Sequence, residues 1–174
     1  MPGADPAAAG VPGADPAAAG VPGADSAEAW MRLALVEAAA AGAAGDVPIG
    51  AVITAANGSL LAVGRNEREH THDPTAHAEI VALRAAGAIT GQWNLTGTSL
   101  YVTVEPCAMC AGALVQARVR TLVYGCAEPK SGAAGSLWDL LTDPRIHHRV
   151  EVVGGVLAEE AATLMREFFA ARRR

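Results

Sequence analysis

From Gly50 onward, short apolar runs rich in β-branched residues alternate with segments of helical length, and this alternation restricts the fold more than any other feature of the chain. The first run, "GAVITAANGSLLAVG", is split by Asn57-Gly58, a dipeptide suited to the left-handed backbone of a hairpin turn. The later runs are "TSLYVTV", "RTLVYG" and "RVEVVGG". Between and after them the pattern predicts helices from about 74 to 86, from 106 and from 158, with a short helix near 136–141. Repeated strand–helix–strand units favour an α/β fold whose mostly parallel sheet is covered by helices on both faces, with the hairpin as an antiparallel edge. The chain has 174 residues, 51% of them apolar, which suits one domain with a substantial core.

Upstream of the hairpin the sequence changes character twice. Residues 2–11 and 12–21 repeat "PGADPAAAGV", and a third copy begins before diverging at "PGADSAEAW". Such a Pro/Gly/Ala repeat has no large side chains to bury and cannot offset the entropy of ordering itself. Residues 1–24 are therefore expected to be a disordered tail, and 25–174 the folded domain. Asp25, with Glu28 three residues on, can cap a helix that carries Trp30 and Met31 and stops at the glycines 42 and 45.

Charge and cysteine usage exclude some classes of function. A net charge of −5 gives no overall basic field, so any contact with nucleic acid must come from a local patch. The three cysteines, Cys107, Cys110 and Cys126, are too few and too local for a secreted disulfide framework. The N-terminus has no basic stretch followed by an apolar one, and no run of about 18 apolar residues occurs anywhere. A cytoplasmic protein without a membrane segment is expected, with Cys126 a buried small residue.

Two segments carry the chemistry. In "VEPCAMCAGAL", Glu105 and Pro106 suit a helix start, which puts Cys107 and Cys110 on one face of its first turn. Thiolates there are stabilised by free amide hydrogens and the positive end of the helix dipole. A Cys-x-x-Cys pair by itself fits a redox pair or two buried small residues equally well. In "HDPTAHAEIVALR", Asp73-Pro74 reads as a second helix start, with His77 in its first turn. Successive helix starts gather along the carboxyl edge of a parallel sheet, where open α/β sheets place their sites. One imidazole and two thiolates supply three ligands to Zn²⁺ and leave the fourth tetrahedral position open for water, the catalytic arrangement. Glu79, two residues from His77, is then close to the metal without being needed as a ligand, and suits general acid/base work.

His-Ala-Glu, 26 residues, then Pro-Cys-Ala-Met-Cys is the established H-x-E…P-C-x-x-C signature of zinc-dependent nucleobase deaminases, applied here as a known rule. The chain resembles the cytidine deaminase-like superfamily, and within it the bacterial tRNA-specific adenosine deaminases. The likeness runs from about Ala29 to Arg174 through "WMRLAL", "VPIGAV", "HDPTAHAEIVALR", "LYVTVEPCAMCAGA", "KSGAAGSL", "HHRVEVVGG" and "REFFAARR". It implies a three-layer α/β/α fold on a mixed five-stranded sheet, one Zn²⁺ per subunit and a homodimer. It further implies hydrolytic deamination of adenosine to inosine at the wobble position of a tRNA anticodon, an arginine tRNA being expected, by zinc-activated water and Glu79.

The same resemblance assigns the substrate side. Asn66 matches a family asparagine that hydrogen-bonds the target base, and the backbone amide of Ala78 helps position it. Val47 and Ile49 match the apolar wall of the pocket, although β-branched residues beside a proline also suit a core. Lys130 and Ser131, the run His147-His148-Arg149 and the terminal "REFFAARRR" are the local basic and aromatic features that single-stranded RNA requires. In the last helix Ala161, Leu164, Met165 and Phe168 can form a core stripe, which leaves Phe169 for stacking. Where the family commonly has an aspartate before the lysine, this chain has Glu128 followed by Pro129. Two other readings share the motif: a deaminase of a free base or nucleoside such as guanine, and a catalytically silent zinc domain that only binds RNA. An intact Glu79 and an open ligand position speak against the second.

Overall fold

The structure is a computed structural model that describes residues 24–173. The expected tail, apart from Ala24, and the Asp25 cap lie outside the described residues and side chains. Helix α1 (Ala24–Ala43) is followed by strands β1 (Gly50–Thr54) and β2 (Leu60–Arg65), helices α2 (Arg68–Thr71) and α3 (Ala78–Thr90), and strand β3 (Ser99–Val104). The chain ends with α4 (Ala108–Gln116), β4 (Thr121–Cys126), β5 (Glu151–Gly154) and α5 (Ala158–Arg172). The strands form one mixed sheet in the order β2-β1-β3-β4-β5. β1 is antiparallel to both its neighbours, and β3, β4 and β5 are parallel. β2 therefore runs in the same direction as β3, and the helices that follow both strands start at one edge of the sheet.

Period-two alternation sorts the central strands between two helical layers. Val52, Tyr101 and Val123 face α1, where Ala27, Met31 and Ala34 recur at helical spacing and pack against them. Ala51, Ile53, Leu100, Val102 and Leu122 face the other way, onto Ala82 and Ala86 of α3 and Ala111 and Leu114 of α4. Every residue of β3 is buried, as a strand covered on both faces requires.

The structure bears out the hairpin around Asn57-Gly58 and corrects three other expectations. The hairpin closes with Ala55 N–H donating to Ser59 O at 2.9 Å and Gly58 at φ +80°. Asn57 stabilises that loop by accepting from the Ser59 amide at 3.0 Å. The helix expected from about 74 begins at Ala78, because the Asp73 carboxylate accepts from the Thr75 amide (2.8 Å) and hydroxyl (2.7 Å) and holds 73–75 as a turn. The helix expected from 106 likewise begins at Ala108. No helix forms at 136–141; isolated bridges pair Cys107 with Gly132 and Ala134 with Asp139. Among the described residues, no helix is long and apolar enough to cross a membrane.

Candidate active site

The two shifted helix starts place the chemistry. His77 is the N-cap of α3 and Cys107 the N-cap of α4, each with extended backbone, while Cys110 sits one turn into α4. Both helices start beyond the carboxyl ends of strands that run in the same direction. Close packing of α3 on the sheet fixes the first start: a Cβ at Gly64 of β2 would lie 2.4 Å from the Ala78 carbonyl and 2.5 Å from the Ala82 amide. Only glycine permits that approach.

His77 Nδ1 faces both sulfurs, 3.7 Å from Cys107 Sγ and 3.6 Å from Cys110 Sγ. The donor atoms of the three residues lie within 4.8 Å of one another and could hold a metal ion. Their charges are already coupled. The Cys110 thiol and then, against burial, His77 hold the Cys107 sulfur far below its ordinary 9.0, so that it is a thiolate. The same sharing with Cys107, reinforced by burial, pushes Cys110 up. Hydrogen bonding to Cys107 raises His77 above its usual 6.5. A paired thiolate at a helix start is the form that binds metal.

Glu79 is 3% exposed in the first turn of α3. Burial pushes its carboxyl up from 4.5, against the pull of its own amide and of His77. A buried carboxyl beside the three donor atoms suits the taking and returning of a proton. Ala78 is fully buried between the two, and as the first residue of α3 its N–H has no acceptor within the helix.

Asn66 follows β2 and is 4% exposed. Its backbone amide donates to Ile49 O at 2.9 Å and its Nδ2 to Val47 O at 3.4 Å. Its Oδ1 is buried with no hydrogen-bond partner. An orphan acceptor of this kind calls for an explanation, and a bound ligand supplies one. Val47 also lines a cleft of about 360 Å³ with Phe168, Phe169 and Arg172. Ile49 packs against the core cluster below α3.

Other expected contacts separate. Phe168 is not core: it is only half-buried, with the Arg172 guanidinium 3.7 Å above its ring and Phe169 edge-on at 5.3 Å. In α5 only Ala161 is fully buried, where the helix packs closely on β4: a Cβ at Gly125 would lie 3.1 Å from that of Ala161. Phe169 is 43% exposed. Lys130 and Ser131 stand exposed in the loop that pairs with Cys107 through Gly132. His147 is exposed, whereas His148 Nε2 lies 2.8 Å from the Val119 carbonyl and is engaged in packing. Cys126 is half-buried at the end of β4.

Two supports of the site escaped the sequence. Asp46 is 1% exposed, and its carboxylate accepts from the amides of Glu69 (2.9 Å) and His70 (3.1 Å), fastening the short α2 beside Asn66. Glu105 is 3% exposed and organises the 128–136 loop. A buried aspartate before "VPIG" and a glutamate before "PC" are the only local signals either leaves, and neither names a partner.

Comparison with known proteins agrees with this geometry. The family model of MafB19-like deaminases matches residues 25–173. The tRNA-specific adenosine deaminase of Bacillus subtilis is 45% identical over 142 residues, covering 82% of this chain and 88% of its own. That of Agrobacterium fabrum is 44% identical over 144 residues, covering 83% and 94%. A solved structure from work on A-to-I editing by tRNA:A34 deaminases superposes with a TM-score of 0.75 at 44% identity, covering 78% of this chain and 98% of that one. The guanine deaminase of Nitrosomonas europaea superposes with a TM-score of 0.71 at 28% identity, covering 82% and 84%. With the motif, the fold and the likeness over most of the chain in agreement, the chain belongs to the MafB19-like deaminases and, among them, to the tRNA-specific adenosine deaminase family.

Proposed function

We propose that this protein hydrolyses the wobble adenosine of a tRNA anticodon to inosine, releasing ammonia. The observation that carries the reading is the His77/Cys107/Cys110 cluster at two helix starts with the buried Glu79 beside it, in a chain that also holds a buried Asn66 Oδ1 without a partner. The metal is Zn²⁺, one per subunit, held by His77 Nδ1 and the two sulfurs. Tetrahedral zinc with Zn–N of about 2.05 Å and Zn–S of about 2.3 Å puts nitrogen and sulfur about 3.6 Å apart. The observed 3.6 and 3.7 Å support that donor set. When bound, the ion supplies a Lewis acid that makes water nucleophilic at neutral pH.

The chain's own groups perform the rest. Glu79 accepts a proton from the attacking water and delivers it to the purine ring nitrogen, then takes the proton left on the added hydroxyl and passes it to the amine, which departs as ammonia. Asn66 offers its free Oδ1 to a donor on the target nucleoside, and the Ala78 amide helps to hold the base against Val47. Phe169, beside the Arg172-capped ring of Phe168, suits stacking of a flanking base, and Lys130 with Ser131 suits a phosphate. Arg149, exposed, is a further phosphate candidate. A tRNA substrate also accounts for the expected cytoplasmic location.

The homodimer has a candidate face. Ile80, Leu83, Trp93, Ala113 and Ala117 line a groove of about 460 Å³ between α3 and α4, and Trp93 is 71% exposed. An exposed apolar patch of this kind is typical of an interface.

The test is incubation of the purified protein with an arginine tRNA carrying an unmodified wobble adenosine, alongside free adenosine, guanine and cytidine. Inosine in the tRNA and no turnover of the free bases is the expected result. Turnover of guanine with the tRNA untouched would move the assignment to the free-base deaminases.

A further inference from the structure

Glu105 follows β3, one residue beyond Val104 and two before Cys107, and its carboxylate reaches into the 128–136 loop. Its oxygens accept from the backbone amides of Glu128, Ala134 and Ser136, each at 3.0 Å, and from the Ser136 hydroxyl. Carboxylates that accept several N–H bonds while buried define their surroundings closely. Gly132 completes the contact, since a Cβ there would lie 2.5 Å from the Glu105 carboxyl carbon and 2.5 Å from the Glu128 carbonyl. The loop is tied to the metal-bearing turn on the same side: Gly132 bridges to Cys107, and Ala133 N–H donates to Pro106 O at 2.8 Å. Lys130 and Ser131 lie at the exposed crest, where the Glu128 side chain accepts from the Lys130 amide at 2.9 Å.

We propose that Glu105 is a positioning residue for RNA recognition: its hydrogen bonds fix the 128–136 loop so that Lys130 and Ser131 stand at a set distance from the His77/Cys107/Cys110 centre. This rests on the tRNA reading above. The centre is built from the starts of α3 and α4 and does not use the carboxylate of Glu105. Backbone bonds such as Gly132 N–H to Glu128 O at 2.8 Å close single turns of the loop, and the Glu105 carboxylate joins its two ends by accepting from residues 128, 134 and 136.

The test compares the full-length metal-loaded protein with Glu105→Gln, Lys130→Ala and the double variant. It uses an anticodon stem-loop RNA with a wobble adenosine, and reads kcat and KM, metal content and amide hydrogen exchange. Glu105→Gln is expected to keep stoichiometric metal, to raise KM by about tenfold and to change kcat by less than about threefold. Exchange should quicken at 128–136 and stay protected in α4. Lys130→Ala should cost at least about twofold less in the Gln background than in wild type, because the displaced loop no longer presents the lysine. Ser136→Ala, which removes only the hydroxyl donor, is expected to shift KM in the same direction by less, and serves if the Gln variant fails to fold. Loss of metal, an unchanged KM in a folded Gln or Ala variant, or strict additivity with Lys130→Ala would each overturn the assignment. A wild-type protein inactive on the stem-loop would sink the RNA reading and this one with it; an active wild type matched in KM by the variants sinks this one alone.

Discussion

Glu79 is a carboxyl buried against an imidazole and a sulfur, a placement that costs stability and marks the residue for function rather than for the scaffold. Its removal separates chemistry from metal binding. Glu79→Ala should retain metal by elemental analysis and lose about 10²- to 10⁴-fold in kcat, whereas His77→Ala should lose the metal itself. Asn66 tests the substrate side. A lost substrate hydrogen bond of about 1–3 kcal/mol lowers kcat/KM by about 5- to 150-fold in Asn66→Ala. Thermal stability should change by less than about 1 kcal/mol, because the variant also removes an orphan buried acceptor. A large loss of stability with activity preserved would assign Asn66 to the scaffold instead. His77, Glu79, Cys107 and Cys110 were legible in the sequence because rare residue types recur there at short fixed spacings. Asp46 and Glu105 were not, because their carboxylates act on amides 23 to 31 residues further along the chain.

At the scale of elements, the alternation of strands and helices fixed the order of the parts but not where helices begin. Local capping rules read Asp73-Pro74 as the start of α3, yet the Asp73 side chain satisfies Thr75 and defers the helix to Ala78. The deferral puts His77 at the helix cap instead of inside the first turn. The 136–141 helix is excluded by backbone bonds out of helical register: the Trp138 and Leu140 amides donate to Gly132 O and Ala133 O, further back than the four residues a helix requires. Gly64 shows how an element's placement serves the site. Gly64→Ala should drive a methyl into the Ala78 carbonyl and the Ala82 amide, costing about 1–3 kcal/mol in thermal unfolding. Because α3 would have to move away from β2, the variant should also release metal to a chelator faster than wild type. Unchanged stability and metal retention would mean that the helix start is fixed by other contacts.

The whole molecule combines an acidic net charge with a substrate that is a polyanion, so recognition must be local. The sequence disclosed the charge, but the groove between α3 and α4 arises only when Trp93 and residues of both helices come together. Sedimentation should give a dimer, and Trp93→Glu should shift it toward monomer by placing a charge in that face. Electrostatics yields the sharper expectation. With a formal charge of −5 the mean field repels RNA, so affinity depends on a few cations such as Lys130 and Arg149 that each displace condensed counterions from a phosphate. The logarithm of stem-loop affinity should then fall linearly with the logarithm of salt concentration. Lys130→Ala and Arg149→Ala should each flatten the slope by about 0.7 if the residue meets one phosphate. Phe169→Ala should instead weaken binding at every salt concentration and leave the slope unchanged, since stacking releases no counterions. Affinity titrations at four or five salt concentrations distinguish the two classes, and a Phe169→Ala variant that altered the slope would show that α5 acts through its arginines and not through its rings.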